Sequence, residues 1–396
     1  MRYSASSPLM ILRWRWALTT VLYGIALFCG YLSLRQIWSH AMDWLVIAAL
    51  VSAYLLYVVW KLLPKNHRKA ESGLLIRLGL GNALTLVRGL AIAFIAGFLG
   101  SPWPMGPLAW LPLGLAIFYF VADCFDGYLA RLTNHTTVMG EQLDLEFDKV
   151  GVFIGVTLAI WYGQLPLWYL LLGLGGHIFS FTFWLRSKLQ LPIHDLPPSI
   201  YRRLFAGIQM WTIATMFWPT LTPTIATFTG VLTGGFAGAI FITDWLIVCG
   251  YLNPQLPHYK TLIRLIQIVL NQWLPLALRL ALLISLIMIM NNFSNPFQPN
   301  EWVELYRHWG FPAPELMALL AGVICITGLL SIALGMLGRI WVILMVCPIY
   351  FEAIRAGFEV TDAVALGSCI LLIAFGLGRF TLWQPDETAM NRYIHR

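Results

Sequence analysis

The chain has 396 residues, 59% hydrophobic and only 11% charged, with a mean hydropathy of +0.75. A soluble surface needs about 25–35% Lys, Arg, Glu and Asp, so most of this chain must face lipid; a cytosolic enzyme, a disordered hub and a disulfide scaffold are excluded. The net charge of +7 reads first as the basic cytoplasmic face of a membrane protein and not as a nucleic-acid footprint.

A helix crossing the hydrocarbon needs about 20 apolar residues. In chain order, apolar runs predict spans near 16–34, 43–63, 83–100, 107–130, 142–162, 166–186, 204–220, 226–250, 272–292, 314–336, 339–354 and 361–379. The predicted fold is therefore an all-α integral membrane protein of about 12 transmembrane helices. Residues 1–66 form an N-terminal two-helix hairpin, whose first run reads as a retained anchor and not as a signal peptide. Residues 67–255 hold six spans, entered through a polar stretch from Lys65 that is expected to form an interfacial amphipathic helix ending near Leu80. Residues 256–396 hold four more spans and the longest outside loop, 293–313. Pro219 and Pro223 blur the division between the seventh and eighth spans. The six cysteines lie singly in apolar runs, as reduced thiols do, with no metal-binding spacing.

Placing both termini in the cytoplasm puts most basic residues on that side, among them Arg13, Arg15, Lys61, Lys65, Arg68, Lys260, Arg264 and Arg392; only Arg35, Arg307 and Arg355 fall outside. The expected location is the bacterial plasma (inner) membrane.

Acidic residues number 18, and six of them, Asp123, Asp126, Glu141, Asp144, Glu146 and Asp148, fall within 26 positions. Charge within a bilayer is costly, so this cluster at the ends of two apolar helices needs a counter-charge. Asp123 and Asp126 are three apart, and Asp144 and Asp148 four apart, so each pair shares a helix face. The short turn from Leu132 to Met139 makes the two helices antiparallel, and four carboxylates converge near the inner surface. Oxygen donors of this kind suit Mg²⁺, Mn²⁺ or Ca²⁺, and two ions would serve phosphoryl chemistry. Arg131 is placed for an anionic phosphate. The competing account is a salt-bridge network among Asp123, Asp126, Arg131 and Lys149.

The string Asp-x₂-Asp-Gly-x₂-Ala-Arg-x₈-Gly-x₃-Asp-x₃-Asp, within VADCFDGYLARLTNHTTVMGEQLDLEFDKVG, resembles the signature of the CDP-alcohol phosphatidyltransferase family. Upstream, GNALTLVRG, with Asn82, Leu84, Thr85 and Arg88, is similar to the opening of that family's first core span. The resemblance covers about 67–250. It implies a six-helix membrane fold, commonly a homodimer, with a site that opens to the cytoplasm and holds Mg²⁺ or Mn²⁺, two ions in all. It implies displacement of CMP from a CDP-linked donor by an alcohol or phosphorylated alcohol, in phospholipid biosynthesis; CDP-diacylglycerol is the expected donor, with a CDP-linked headgroup as the alternative. Carried over by position, Asp123, Asp126 and Asp144 would bind metal, and Asp148 would be the general base close to it. Gly127, Ala130, Arg131, Thr137 and Gly140 would line the CDP site, with Thr85 and Asn82 beside them. Leu145, Glu146 and Phe147 depart from the family's small residues and proline, which bears on the acceptor; Glu146 should point away from Asp144 and Asp148.

Arg186, Lys188, Arg202 and Arg203 form a basic rim that suits a phosphorylated acceptor, although ordinary positive-inside topology is the favoured reading of the same residues. Asp244, inside a span, either joins the site or pairs with a rim arginine. His135 and His177 read as a solvated turn residue and a packing residue. The last block, through Arg279, Pro312, Pro314, Glu315, Gly322, Gly328, Gly335, Arg339, Gly378 and Arg379, resembles the DoxX-like four-helix membrane family over about 270–385. Cys325 stands where that family has an acidic residue. Two other functions fit the composition: a polytopic transporter, and a non-catalytic scaffold that keeps a metal and nucleotide site. Carboxylates gathered at one membrane face count against transport.

Overall fold

A computed structural model describes residues 7–69, 71, 73–197, 199–256, 261, 264–265, 268–292, 300–308, 310–378 and 381–383. The described residues are helical, with one isolated bridge between Met336 and Trp383 and no strand. They form two compact units, Met1–Gln190 with Gln209–Thr227, and Leu191–Ile208 with Phe228–Arg396.

The first unit begins with a hairpin, α1 (Pro8–Leu34) and α2 (Ala41–Leu62), the first opened by a proline that needs no intrahelical partner. α3 (Leu80–Ala96) packs against α2, α4 (Leu111–Leu132) and α5 (Val138–Trp161). Trp44 of α2, 1% exposed, locks the hairpin on: its Nε1 donates to the Phe94 carbonyl at 3.0 Å, over Gly30 and Gly97. Tyr23 of α1 donates its hydroxyl to the Leu86 carbonyl of α3. Apolar burial between these helices supplies the core, which runs from Leu12 to Ala226.

The segment between α2 and α3 is not the amphipathic helix expected. The described residues between 66 and 79 are irregular. Asn66, fully buried, donates through Nδ2 to the carbonyls of Leu75 (2.8 Å) and Arg77 (2.9 Å), satisfying acceptors that a helix would have paired internally. The strap then ties to the α4–α5 turn: Arg68 donates to the Asn134 carbonyl, Val138 N–H to the His67 carbonyl, and Lys65 to Gln142.

The expected span 166–186 is broken into α6 (Leu170–Gly173) and α7 (Gly175–Lys188), and the run from Leu167 to Lys188 bends by 53° at the Gly173–Gly175 break. Gly173 lies against Val156, where a Cβ would sit 3.1 Å from two of its carbons. α8 (Ile200–Thr215) ends ahead of Pro219 and α9 (Pro223–Val248) starts on Pro223, so the prolines divide the pair cleanly.

The second unit contains α10 (Leu274–Asn292), α11 (Asn300–His308), α12 (Pro314–Leu334), α13 (Gly338–Ala356) and α14 (Val360–Phe375). α10 packs on α12 and α14, and α13 on α12 and α14. Part of the expected outside loop is the amphipathic helix α11, which buries Val303 and Tyr306. Lys260, Arg379 and Arg392 lie outside the described residues, as do the side chains of Arg203 and Arg355.

Among the described residues, five helices are long and apolar enough to cross a membrane: Pro8–Leu34, Ala41–Lys65, Gly106–Leu132, Pro223–Val248 and Pro314–Leu334; the bent pair makes a sixth if counted as one span. Leu80–Ala96, Leu204–Thr215, Leu274–Met288 and Val360–Ile373 are apolar but shorter. Against the twelve spans expected, the described residues support an all-helical integral membrane protein with five or six candidate full-length spans.

Candidate active site

α4 and α5 both pack on α3, and their four aspartates meet on one α3 side chain. Arg88 is the only charged residue of α3 and is fully buried. Its Nη1 donates to Asp126 Oδ2 (2.5 Å) and Asp144 Oδ1 (2.8 Å) and its Nη2 to Asp148 Oδ1 (2.6 Å), while Nη2 forms an ion pair with Asp123 Oδ1 at 2.5 Å. The counter-charge that the cluster demanded is therefore Arg88, and not Arg131 or Lys149. Lys149 pairs with Glu146 at 2.6 Å and with Ser180 at 2.9 Å, which also turns Glu146 away from the quartet.

Two neighbours hold the carboxylates in place. Thr85 Oγ1 lies 3.1 Å from Asp126 Oδ2 and 3.1 Å from the Gly81 carbonyl. Tyr119, one turn before Asp123 on α4, donates to Asp148 Oδ1 at 2.9 Å, and its ring centre is 4.9 Å from the Arg88 guanidinium carbon. α3 and α4 approach closely because Gly81 lacks a side chain: a Cβ there would sit 2.8 Å from Ala130 Cβ and 2.9 Å from the Asp126 carbonyl oxygen.

One guanidinium faces four carboxylates, so most of the negative charge is left over. Each aspartate directs one oxygen at Arg88; among the described residues the other has no protein partner. Asp123, Asp126 and Asp144 can each offer one oxygen, all within 4.8 Å of one another. That spacing is close enough for the three carboxylates to be drawn onto one divalent ion. The donors are hard, and the trio is more open than Arg88: Asp144 is 42% exposed and Asp123 24%. The residues fit a divalent cation.

The remaining expected residues divide in two. Thr137, buried, caps α5 by accepting from the Gly140 N–H at 3.0 Å. Asn82 Oδ1 fills the space that a Gly140 Cβ would occupy, and Asn82 Nδ2 is buried without a partner. Arg131 is exposed at the end of α4, its guanidinium 3.3 Å from where a Gly127 Cβ would lie. These residues lie around the same α3–α4–α5 end as the quartet. Arg202, in the second unit, is bound to Asp244 by two contacts (2.5 and 2.8 Å), which settles the partner of that intramembrane carboxylate. His135 is not merely solvated: its Nε2 contacts the Arg77 carbonyl at 3.0 Å, beside Gly79. His177 packs edge-on to Phe153.

Sequence reasoning missed Tyr119 and Gly81 and left Arg88 without a role. The available signal was a lone arginine in an apolar helix, which in a membrane needs a named partner.

Comparison with known proteins bears on the same segment. Residues 78–250 match the family described as CDP-alcohol phosphatidyltransferase. The chain is 35% identical over 95 residues to a CDP-diacylglycerol–glycerol-3-phosphate 3-phosphatidyltransferase of Cereibacter sphaeroides, covering 23% of this chain and 40% of that protein. Proteins of the same name from Salmonella choleraesuis and Yersinia enterocolitica are 36% identical over 91 and 101 residues, covering 21% and 23% of this chain and 47% and 52% of theirs. The chain thus spans about half the length of the curated relatives it matches. No solved structure matches. The segment that builds the carboxylate quartet is a CDP-alcohol phosphatidyltransferase domain, residues 78–250.

Proposed function

We propose that this protein transfers a phosphatidyl group from CDP-diacylglycerol to an alcohol and releases CMP, at a site facing the cytoplasm. The convergence of Asp123, Asp126, Asp144 and Asp148 on one point carries this reading. In the reaction, the acceptor oxygen forms a bond to the lipid-bearing phosphorus as the bond from that phosphorus to the CMP phosphate oxygen breaks. The acceptor's hydroxyl proton goes to Asp148, whose Oδ1 is fixed by Arg88 and Tyr119 while Oδ2 stays available. Asp123, Asp126 and Asp144 would hold two divalent ions, which would supply charge neutralisation for the pyrophosphate and the leaving phosphate. Asn82 Nδ2 and Arg131 supply donors for the nucleotide end. Arg88 keeps the four carboxylates gathered, so substrate meets a site already assembled.

A phosphorylated alcohol of the glycerol phosphate type is the acceptor we favour, on the names of the partial relatives. Arg203 and Arg186 remain rim candidates, whereas Arg202 is already committed to Asp244. Lipid mass spectrometry of membranes overexpressing the chain, against an Asp144→Asn control, tests the reading. A phosphodiester lipid made only by the unmodified chain names the acceptor; identical lipid profiles overturn the proposal.

A further inference from the structure

A cavity of about 360 Å³ opens where α1 begins and α2 ends, at the far end of the hairpin from its 35–40 turn. Two cations line it, Arg13 and Lys61, with Tyr57 and Trp60 beside them and Leu63 and Pro64 as its apolar wall. No carboxylate lines it, and among the described residues neither cation forms an ion pair. Arg13 is held in place by the indole of Trp60, 5.1 Å from ring centre to guanidinium carbon. The size falls within the range of small-ligand sites, about 300–1,000 Å³.

The composition specifies the occupant. Two unpaired cations call for an anion, an apolar wall calls for a group with a hydrocarbon continuation, and Tyr and Trp mark the depth of lipid headgroups. Basic pockets between transmembrane helices on the cytoplasmic side take anionic headgroups in this way. We propose that this cavity is a binding site for the phosphate of an anionic phospholipid, separate from the carboxylate quartet. Its apolar wall, Leu63 and Pro64, leads directly into Lys65, Asn66 and the strap tied to the first turns of α5. A lipid bound there would brace that strap from the membrane side.

Native mass spectrometry of the full chain in detergent, titrated with dioleoyl phosphatidylglycerol or dioleoyl phosphatidylcholine, tests the site. Each cation near a membrane surface is worth about fivefold in binding, so Arg13→Gln/Lys61→Gln should weaken the tightest phosphatidylglycerol binding roughly 25-fold, and each single variant about fivefold. Trp60→Leu, which frees Arg13, should weaken it to a smaller extent. Asp144→Asn should retain the binding, which separates this cavity from the quartet. Millimolar inorganic phosphate should not displace the lipid. Equal binding of the two lipids, unchanged binding in the double variant, or displacement by free phosphate would each overturn the proposal.

Discussion

Two buried arginines, one in each unit, show how the same side chain serves different ends. Arg88 of α3 faces four carboxylates. Arg279 of α10, 5% exposed, donates to the carbonyls of Ile332 (3.0 Å) and Ala333 (3.0 Å), near the end of α12, and toward Leu377. There α12 stops at Gly335, whose φ of +69° suits a residue without Cβ, and a cation complements the negative end of the helix. Arg279 finishes a helix. Arg88 is outnumbered by its partners, and an outnumbered cation marks a place where further positive charge is wanted.

The largest effect expected from breaking this contrast is at Arg88. Replacing one partner of a buried ion pair typically costs about 3–5 kcal/mol. Arg88→Gln should lose that stability in thermal unfolding, and Mn²⁺ should raise its melting temperature more than it raises that of the unmodified chain. Equal responses to Mn²⁺ would mean that the ion and the guanidinium do not share the same carboxylates. Next, Asp148→Asn should lower the rate of CMP release by at least about 10²-fold, the lower range for lost acid–base catalysis. Near-normal turnover would remove Asp148 as the base. Arg279→Met should cost about 1–3 kcal/mol through unsatisfied carbonyls, yet leave turnover per folded molecule unchanged. A fall in turnover would join that helix end to the chemistry. Smallest is Lys69→Ala: its exposed pair with Glu141 should contribute less than about 1 kcal/mol. A larger loss in unfolding measurements would show that the strap depends on charge and not on Asn66.

The sequence made the quartet legible because helix spacing alone puts Asp123 beside Asp126 and Asp144 beside Asp148. What spacing within a helix cannot reveal is which neighbouring helix comes between. Arg88 lies 35 positions before Asp123, and only packing brings it under the cluster. The strap was misread for a related reason: residues 66–79 have a helix-like mixture of polar and apolar side chains, but Asn66 captures the carbonyls. The break at Gly173–Gly175 had a visible cause in its glycines, yet the hydrophobic run concealed it. For Asp244 the sequence left two roles open, joining the site or pairing with a rim arginine, and the pair with Arg202 is the one formed.

The most direct test of the carboxylate site is CMP release by the purified chain given CDP-diacylglycerol, glycerol 3-phosphate and Mg²⁺. The account predicts release that requires both substrates, stops with EDTA, returns with Mg²⁺ or Mn²⁺, and is absent in Asp144→Asn. Release that persists in EDTA or in Asp144→Asn, or no release from the unmodified chain with any alcohol supplied, would contradict it.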